Sequence, residues 1–320
     1  MKLLAPVDRV EEVAAVIRAG ADELYCGLLT ADWHERYIAG SINRRPGGGA
    51  SFTTLADLAA CVDIAHSSNV PVFLAVNEHY YTREQYPFIR DYVEKVAAVG
   101  IDALMVADLA LLLTLRQMET GIKVIISTGG TAFNSETVRF YQDLGASRVT
   151  LPRHLTLDEI GDIRAGAPDV ELGVFILNSR CPNVDGFCTF QHGLANKSLK
   201  PLFQNACMLP YEVSLGAGGE QSRVSWERQH IWQLVHIDDH PCGACAIYDL
   251  AGTGVSSLKI VGRGNPTARK LTDIGFIRSL LEFRENERPT RDEFREVAQQ
   301  RYRDTYQRPC RGYMCYYPVW

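Results

Sequence analysis

Five of the nine cysteines in this 320-residue chain lie in one internal stretch. Cys181 and Cys188 stand seven positions apart across a Pro-Asn-Val-Asp-Gly turn, and Cys207 follows nineteen positions later. Cys242 and Cys245 form a CGAC pair. Four or more thiolates in one region suit tetrahedral coordination of a zinc ion or of an iron–sulfur cluster. The alternative, that these cysteines are small packing residues, fits poorly with their polar surroundings, which are rich in proline and glycine.

A zinc site of the Cys2His2 type is a competing hypothesis. His236, His240, Cys242 and Cys245 supply four ligand-type side chains within ten residues, and both residue types are common zinc ligands. In this interpretation Cys245 is a zinc ligand and is not available to an iron–sulfur cluster. Neither a Gly-x-Ser-x-Gly elbow nor a His-Glu-x-x-His motif occurs, so the sequence shows no machinery for a serine or zincin protease mechanism.

Polar side chains follow several apolar runs of the chain. In a parallel barrel the chemistry takes place at the C-terminal ends of the strands, so these side chains are candidates for a substrate pocket. Two of them, Arg153 and Arg263, can hold a carboxylate or phosphate, or else pair with acids at the rim. Lys259 alternates with apolar residues, and we expect it to point inward toward an acid such as Glu171 or Asp108. The candidates are Asn77, Asp108, Ser127, Arg153, Asn178, Lys259 and Arg263.

The elements that must position these residues follow two alternating patterns. Short, near-continuously apolar runs are typical of strands buried on both faces of a parallel sheet, and amphipathic helical stretches lie between them. Eight such runs predict an α/β fold, a (β/α)8 TIM-like barrel, although an open doubly wound sheet with an added domain fits the same periodicity. The predicted strands are 3–7, 23–27, 71–77, 103–108, 123–128, 148–152, 171–177 and 257–262.

Two connections are too long to be plain turns. We interpret residues 28–53 as a loop or lid rather than a helix, with a disordered insertion as the alternative. Residues 178–256 are predicted to form a small cysteine-rich subdomain inserted between strands 7 and 8. The barrel then comprises residues 1–177 and 257–283.

The C-terminal extension, residues 284–320, is predicted to be helical and to end in an aromatic tail. Cys310 and Cys315 lie in this tail among tyrosines and Trp320. We interpret the tail as a strap that packs its aromatic side chains on the barrel, because these side chains bury large areas. The alternative is a second redox or metal site.

Composition bounds the classes of function. With 46% hydrophobic and 22% charged residues the chain is an ordinary globular protein. The net charge of -5 gives no global attraction for a polyanion, and Arg36, Arg44 and Arg45 are too few to define an RNA footprint. The N-terminus resembles neither a signal peptide nor a membrane span, so we expect a cytoplasmic protein whose thiols stay reduced.

Several of these segments, in this order, resemble the U-32 peptidase or collagenase-like family over roughly residues 2–283. They include the opening LLAPVDRVEEVAAVIRAGADELYCGL, VGIDALMVAD at 99–108, GASRVTLPRHLTLDEI at 145–160 and SLKIVGR at 257–263. The strand with Glu171 and Phe175, followed by two cysteines seven residues apart, is similar to the family signature. The chain departs from the family pattern at residues 177–180, at Gly129 and at Val261.

The resemblance implies a function. Family members are similar to oxygen-independent hydroxylation factors for tRNA, ribosomal RNA or ubiquinone precursors, with a 4Fe-4S cluster on four cysteines. The corresponding positions here are Cys181, Cys188, Cys207 and Cys245, and Cys242 is extra. We therefore expect an iron–sulfur oxidoreductase with a small-molecule or RNA substrate. The alternatives are a hydrolase with structural cysteines, on zinc for example, and a noncatalytic cluster-bearing subunit with a related protein partner.

Overall fold

The structure, a computed structural model, describes residues 1–37, 42–45, 49–178, 181, 183–188, 226–227, 230 and 241–317. These residues form a closed barrel of eight parallel strands, each paired with the next along the chain, with β8 paired to β1. The predicted (β/α)8 barrel is confirmed, and the open sheet is wrong because no strand edge is left unpaired. The strands are β1 (Lys2–Pro6), β2 (Glu23–Cys26), β3 (Val72–Val76), β4 (Ala103–Val106), β5 (Lys123–Ile126), β6 (Ala146–Thr150), β7 (Glu171–Leu177) and β8 (Ser257–Ile260).

Helices connect the strands, and local signals define their ends. Thr156 and Glu159 form a capping box at the start of one helix, and Gly100 ends another in the left-handed conformation. None of the helices in the described ranges is long and apolar enough to cross a membrane. The helices are α1 (Val10–Arg18), α2 (Ala31–Arg36), α3 (Leu55–His66), α4 (Tyr86–Val99), α5 (Leu109–Met118), α6 (Ser135–Asp143), α7 (Leu157–Gly166), α8 (Ile247–Gly252), α9 (Thr267–Glu287) and α10 (Arg291–Tyr306).

The barrel interior is filled in layers, because alternate side chains of each strand point inward. At the N-terminal end, Arg148 donates to Glu23 at 2.6 and 2.7 Å and to Glu171 at 2.7 Å, so this charge is neutralised. An apolar layer lies next to it, and Lys259 on β8 lies on the C-terminal side of that layer. The apolar layer consists of Leu4, Tyr25, Phe73, Ala103, Met105 and Ile125.

The connection after β2 contains a helix that the sequence analysis missed. Residues 28–53 were predicted to lack one, yet α2 forms there. Trp33 on α2 is fully buried, and its ring centroid lies 4.7 Å from that of Tyr37 and 5.3 Å from that of Phe88. Burial of a large aromatic ring supplies the packing energy that a six-residue helix lacks by itself.

The tail folds back on the barrel as the predicted strap. Cys242 donates its backbone N–H to Met314 O at 3.0 Å, and Tyr316 donates its own to Cys242 O at 3.1 Å. Tyr317 donates its hydroxyl to Phe175 O at 2.8 Å. We call residues 310–317 the strap. Most of the segment predicted to be the inserted subdomain, 178–256, lies outside the described residues.

A buried ion network ties α9 to the start of α1. Lys270 donates to Asp8 and, at 2.6 Å, to Glu12, and all three side chains are only 1% exposed. Asp8 also accepts the Gly264 N–H at 2.7 Å. The network therefore positions the segment after β8, which carries Arg263.

We predict that Lys270→Met lowers the free energy of unfolding by about 3–5 kcal/mol, because two buried carboxylates lose their counter-ion. The matched control is Lys95→Met, which removes a half-exposed lysine paired with Asp91 at 2.6 Å and should cost less than about 1 kcal/mol. Urea unfolding followed by circular dichroism measures both. Similar small losses in the two variants would contradict this role for the network.

Candidate active site

The loops after the strands form the barrel mouth, and the predicted pocket residues lie there. Asn77, which follows β3, donates from Nδ2 to the hydroxyl of Ser127, which follows β5, at 3.0 Å. Asn77 Oδ1 is buried and has no hydrogen-bond partner among the described residues. Leaving such a group unsatisfied costs about 1–3 kcal/mol. The pair is therefore suited to bind a hydrogen-bond donor of a ligand.

Two of the predicted pocket residues have structural partners instead. Asp108 caps α5 by accepting the Ala110 N–H at 2.8 Å, and it also accepts the Tyr86 hydroxyl at 2.7 Å. Asn178 is in the left-handed conformation with φ 65° and donates to Asp273 on α9 at 2.7 Å. These contacts fasten the ends of β4 and β7 to neighbouring elements.

The two predicted arginines differ in their partners. Arg153 donates to Asp185 at 3.0 Å, the ion pair that was the alternative to ligand binding, and its guanidinium lies 4.1 Å from the centre of the Phe175 ring. Arg263 donates to Asn43 O at 3.1 Å and has no carboxylate partner among the described residues. Arg153 Nε and Arg263 Nη1 are both buried without a hydrogen-bond partner there. Both arginines therefore have donors available for an anion.

The expected acid partner of Lys259 was wrong. Glu171 pairs with Arg148 at the opposite end of the barrel, and Asp108 is engaged as the cap of α5. Lys259 instead places Nζ 4.3 Å from the centre of the Tyr25 ring. Burial, together with the charges of Arg263 and other nearby arginines, holds the pKa of Lys259 well below its ordinary value.

Sequence reasoning missed two further cations of the site. Arg44 donates from Nη2 to Cys188 Sγ at 3.1 Å. Burial and the charge of Arg263 lower the pKa of Arg45 to about 10. Their position in the chain could have indicated this, because Arg44 and Arg45 belong to the loop after β2. Loops that follow the strands of a barrel form its mouth.

Cys181 and Cys188 both lie at the mouth, half-buried. Burial and the nearby carboxylate of Asp185 raise the pKa of Cys181 to about 11. Burial also raises the pKa of Cys188, but a hydrogen bond with His79 and the charge of Arg44 outweigh it, so that this pKa is lowered from its ordinary value. The pKa of His79 rises to about 8 through its hydrogen bonds with Cys188 and Glu78. The site therefore stabilises an anionic sulfur at Cys188.

The other described cysteines of the second half of the chain lie in the strap or beside it. Cys242 forms a β-bridge with Cys315, and burial raises the pKa of Cys245 to about 12, as do the neighbouring thiols of Cys310 and Cys315. Cys207, His236 and His240 lie outside the described residues. Within the described ranges no three His, Cys, Asp or Glu side chains are already arranged to hold a metal ion.

The fold and the site define a class, a parallel β/α barrel whose mouth brings cysteine thiols together with arginines. The sequence profile of Peptidase family U32 matches residues 8–319, and the chain belongs to this family. The solved structure of the U32 peptidase Mk0906 shares the fold, with a TM-score of 0.50 and 16% identity over 83% of this chain and 94% of that one. The family resemblance drawn from the sequence motifs is confirmed.

Two relatives carry names that record RNA chemistry. The chain is 29% identical over 225 residues to tRNA hydroxylation protein P of Haemophilus influenzae, covering 70% of this chain and 46% of that protein. It is 28% identical over 270 residues to the 23S rRNA 5-hydroxycytidine C2501 synthase of Escherichia coli, covering 82% of this chain and 36% of that protein. The match thus spans less than half the length of each relative.

Gly186 lets the cysteine-bearing turn pack against the loop after β5. Its φ is +92°, and an added Cβ would lie 2.3 Å from Thr131 Cγ2 and 2.9 Å from Thr128 O. Gly145 has nearly the same φ, +95°, but nothing within 4 Å of an added Cβ. Substitution by alanine would therefore strain the backbone at both glycines, but only at Gly186 would the new Cβ clash with neighbouring atoms.

We predict that Gly186→Ala displaces this turn and makes Cys181 and Cys188 of the metal-free protein react faster with iodoacetamide. Gly145→Ala should cost about 1–2 kcal/mol in backbone strain and leave these two rates unchanged. Peptide mass spectrometry after timed labelling measures each cysteine separately. Unchanged rates in Gly186→Ala would show that the turn does not depend on this contact.

Proposed function

We propose that this protein is an iron–sulfur oxidoreductase that hydroxylates a base of an RNA substrate without molecular oxygen, at the barrel mouth. The observation that carries the proposal is the convergence there of Cys181 and Cys188 with cations that have no carboxylate partner in the described part of the chain. The names of the two relatives, one for tRNA hydroxylation and one for 23S rRNA hydroxycytidine synthesis, support the reaction and the substrate class.

The proposed cofactor is a 4Fe-4S cluster on Cys181, Cys188, Cys207 and Cys245, which when bound would provide one-electron redox chemistry at the mouth. Among the described donors, Cys188 suits this group, because Arg44 and His79 stabilise negative charge on its sulfur and a thiolate-bound cluster is anionic. Zinc on the same thiols is the alternative.

In this proposal, different side chains of the mouth bind different groups of the substrate. Arg153 and Arg263 would hold anionic groups, since their buried unsatisfied donors favour oxyanions. Asn77 and Ser127 would orient a neutral polar group such as a base edge. We propose that the protein acts in the cytoplasm, since an RNA substrate and reduced thiols both fit that compartment.

A thiol-dependent hydrolase is the second candidate, and one observation favours it. The interaction between Cys188 and His79 lowers the pKa of the thiol and raises that of the imidazole, and Glu78 Oε1 lies 3.3 Å from His79 Nδ1. A thiolate with an imidazole that a carboxylate orients is an arrangement found in nucleophilic catalysis. In that case His79→Ala would abolish peptide hydrolysis without removing iron.

Nucleoside analysis tests the proposed reaction. Deletion of the gene in its native host should remove a nucleoside that is heavier by one oxygen atom from tRNA or ribosomal RNA digests, and the wild-type gene should restore it under anaerobic growth. An unchanged nucleoside profile would contradict the proposal. Copurification of a second related chain, with no turnover by either alone, would favour the subunit alternative.

Serine variants test the ligand set. We predict that Cys181→Ser, Cys188→Ser, Cys207→Ser and Cys245→Ser each lose most of the bound iron, because serine replaces a thiolate ligand poorly. Cys242→Ser should lose less.

The control for this series is Cys310→Ser, in the strap beside Cys245, which should keep its iron. Iron is quantified after anaerobic purification. Loss in Cys242→Ser with full retention in Cys245→Ser would show that the other member of the CGAC pair is the ligand, and loss in Cys310→Ser would show that the strap contributes a ligand.

A further inference from the structure

Lys259 places a lysine amine inside the barrel, on the apolar layer of the interior. The residue is only 8% exposed. Its Nζ lies 4.3 Å from the centre of the Tyr25 ring, 5.4 Å from that of Phe175 and 3.8 Å from Met105 Sδ. These three neighbours come from β2, β7 and β4, so the amine is surrounded by nonionic groups on the barrel side.

The charges that act most strongly on this amine, among the described residues, are those of four arginines. Arg263 follows β8, Arg153 follows β6, and Arg44 and Arg45 belong to the connection after β2. No carboxylate of the described residues lies within ion-pair distance of Lys259, and Asp185, the acid of this region, is bound to Arg153. Burial and these four positive charges favour the neutral amine and lower the pKa of Lys259.

The arginines above the amine have donors without partners. Arg263 Nη1 and Arg153 Nε are buried and make no hydrogen bond to any described residue. Arg153 also contacts the Phe175 ring, whose centre lies 4.1 Å from the guanidinium carbon and 5.4 Å from Lys259 Nζ. Buried donors left unsatisfied cost free energy that a bound oxyanion would recover.

A neutral lysine amine beside other cations in a desolvated pocket is an activated nucleophile. We propose that Lys259 forms an imine with a small aldehyde or ketone that carries a carboxylate or phosphate group, and that Arg153 and Arg263 hold that group. A C=N bond forms as the C=O bond breaks, and the carbonyl oxygen leaves as water with the two amine hydrogens. No oxidant or reductant takes part in this step.

This inference goes beyond the proposed function, because it needs neither the cluster nor RNA. It assigns to Lys259 covalent chemistry rather than ionic binding alone. It also explains why the barrel holds a lysine at this position without an acid, since an acid partner would keep the amine protonated and unreactive.

Reductive trapping tests the proposal on the full chain as purified. The protein is incubated at pH 7 with sodium cyanoborohydride and one of three probes: glyoxylate, glycolaldehyde phosphate or propionaldehyde. We expect one adduct, located on Lys259 by peptide mass spectrometry, and faster trapping of an anionic probe than of neutral propionaldehyde by about tenfold or more, the value of one or two charged hydrogen bonds. The faster anionic probe identifies carboxylate or phosphate as the natural group.

Matched variants and a competitor separate the outcomes. Lys259→Met should abolish the adduct and Lys95→Met should not. Arg263→Gln should slow the anionic probe more than propionaldehyde, because it removes a donor to the anion as well as a charge that keeps the amine neutral. Inorganic phosphate or acetate should compete in the wild-type protein, which keeps the test independent of whether the variants fold.

Adducts spread over surface lysines, or no preference for an anionic probe, would overturn the proposal. Because trapping is measured without RNA or iron, a failure here is distinct from a failure of RNA hydroxylation.

Discussion

The apolar layer in the middle of the barrel separates two sets of charges that are balanced in different ways. At the N-terminal end, Arg148 lies between Glu23 and Glu171, so that end is neutral and structural. At the C-terminal end, Lys259 and Arg263 have no carboxylate partner among the described residues. Uncompensated buried charge such as that of Arg263 costs stability, and an anion bound at the mouth would offset this cost.

The elements outside the barrel serve to hold this mouth in place. The Lys270 network fixes the segment that carries Arg263 through the bond from Gly264 to Asp8. The strap fastens the ends of β7 and of the CGAC segment through Tyr317 and the Cys242 backbone. Rigid positioning of this kind matters because a site works only when its supporting contacts keep the reacting groups in register.

Much of the architecture could be predicted from the sequence, since buried parallel strands leave continuous apolar runs. The predicted strand bounds agree with the structure to within two residues. The role of Cys181 and Cys188 as ligands stays a prediction. The failures concern long-range partners. The residues around Trp33 show no helical pattern of apolar residues, yet burial of Trp33 stabilises α2. Likewise, nothing in the local sequence around Lys259 indicates that Glu171 binds Arg148.

The proposed redox chemistry requires that thiols of the mouth hold an iron–sulfur cluster. Anaerobic purification followed by iron and sulfide quantitation, with a visible absorption spectrum, tests it most directly. The account predicts a brown protein with about four iron and four sulfide per chain. A colourless protein that contains zinc without sulfide, or no metal, after strictly anaerobic handling would contradict it.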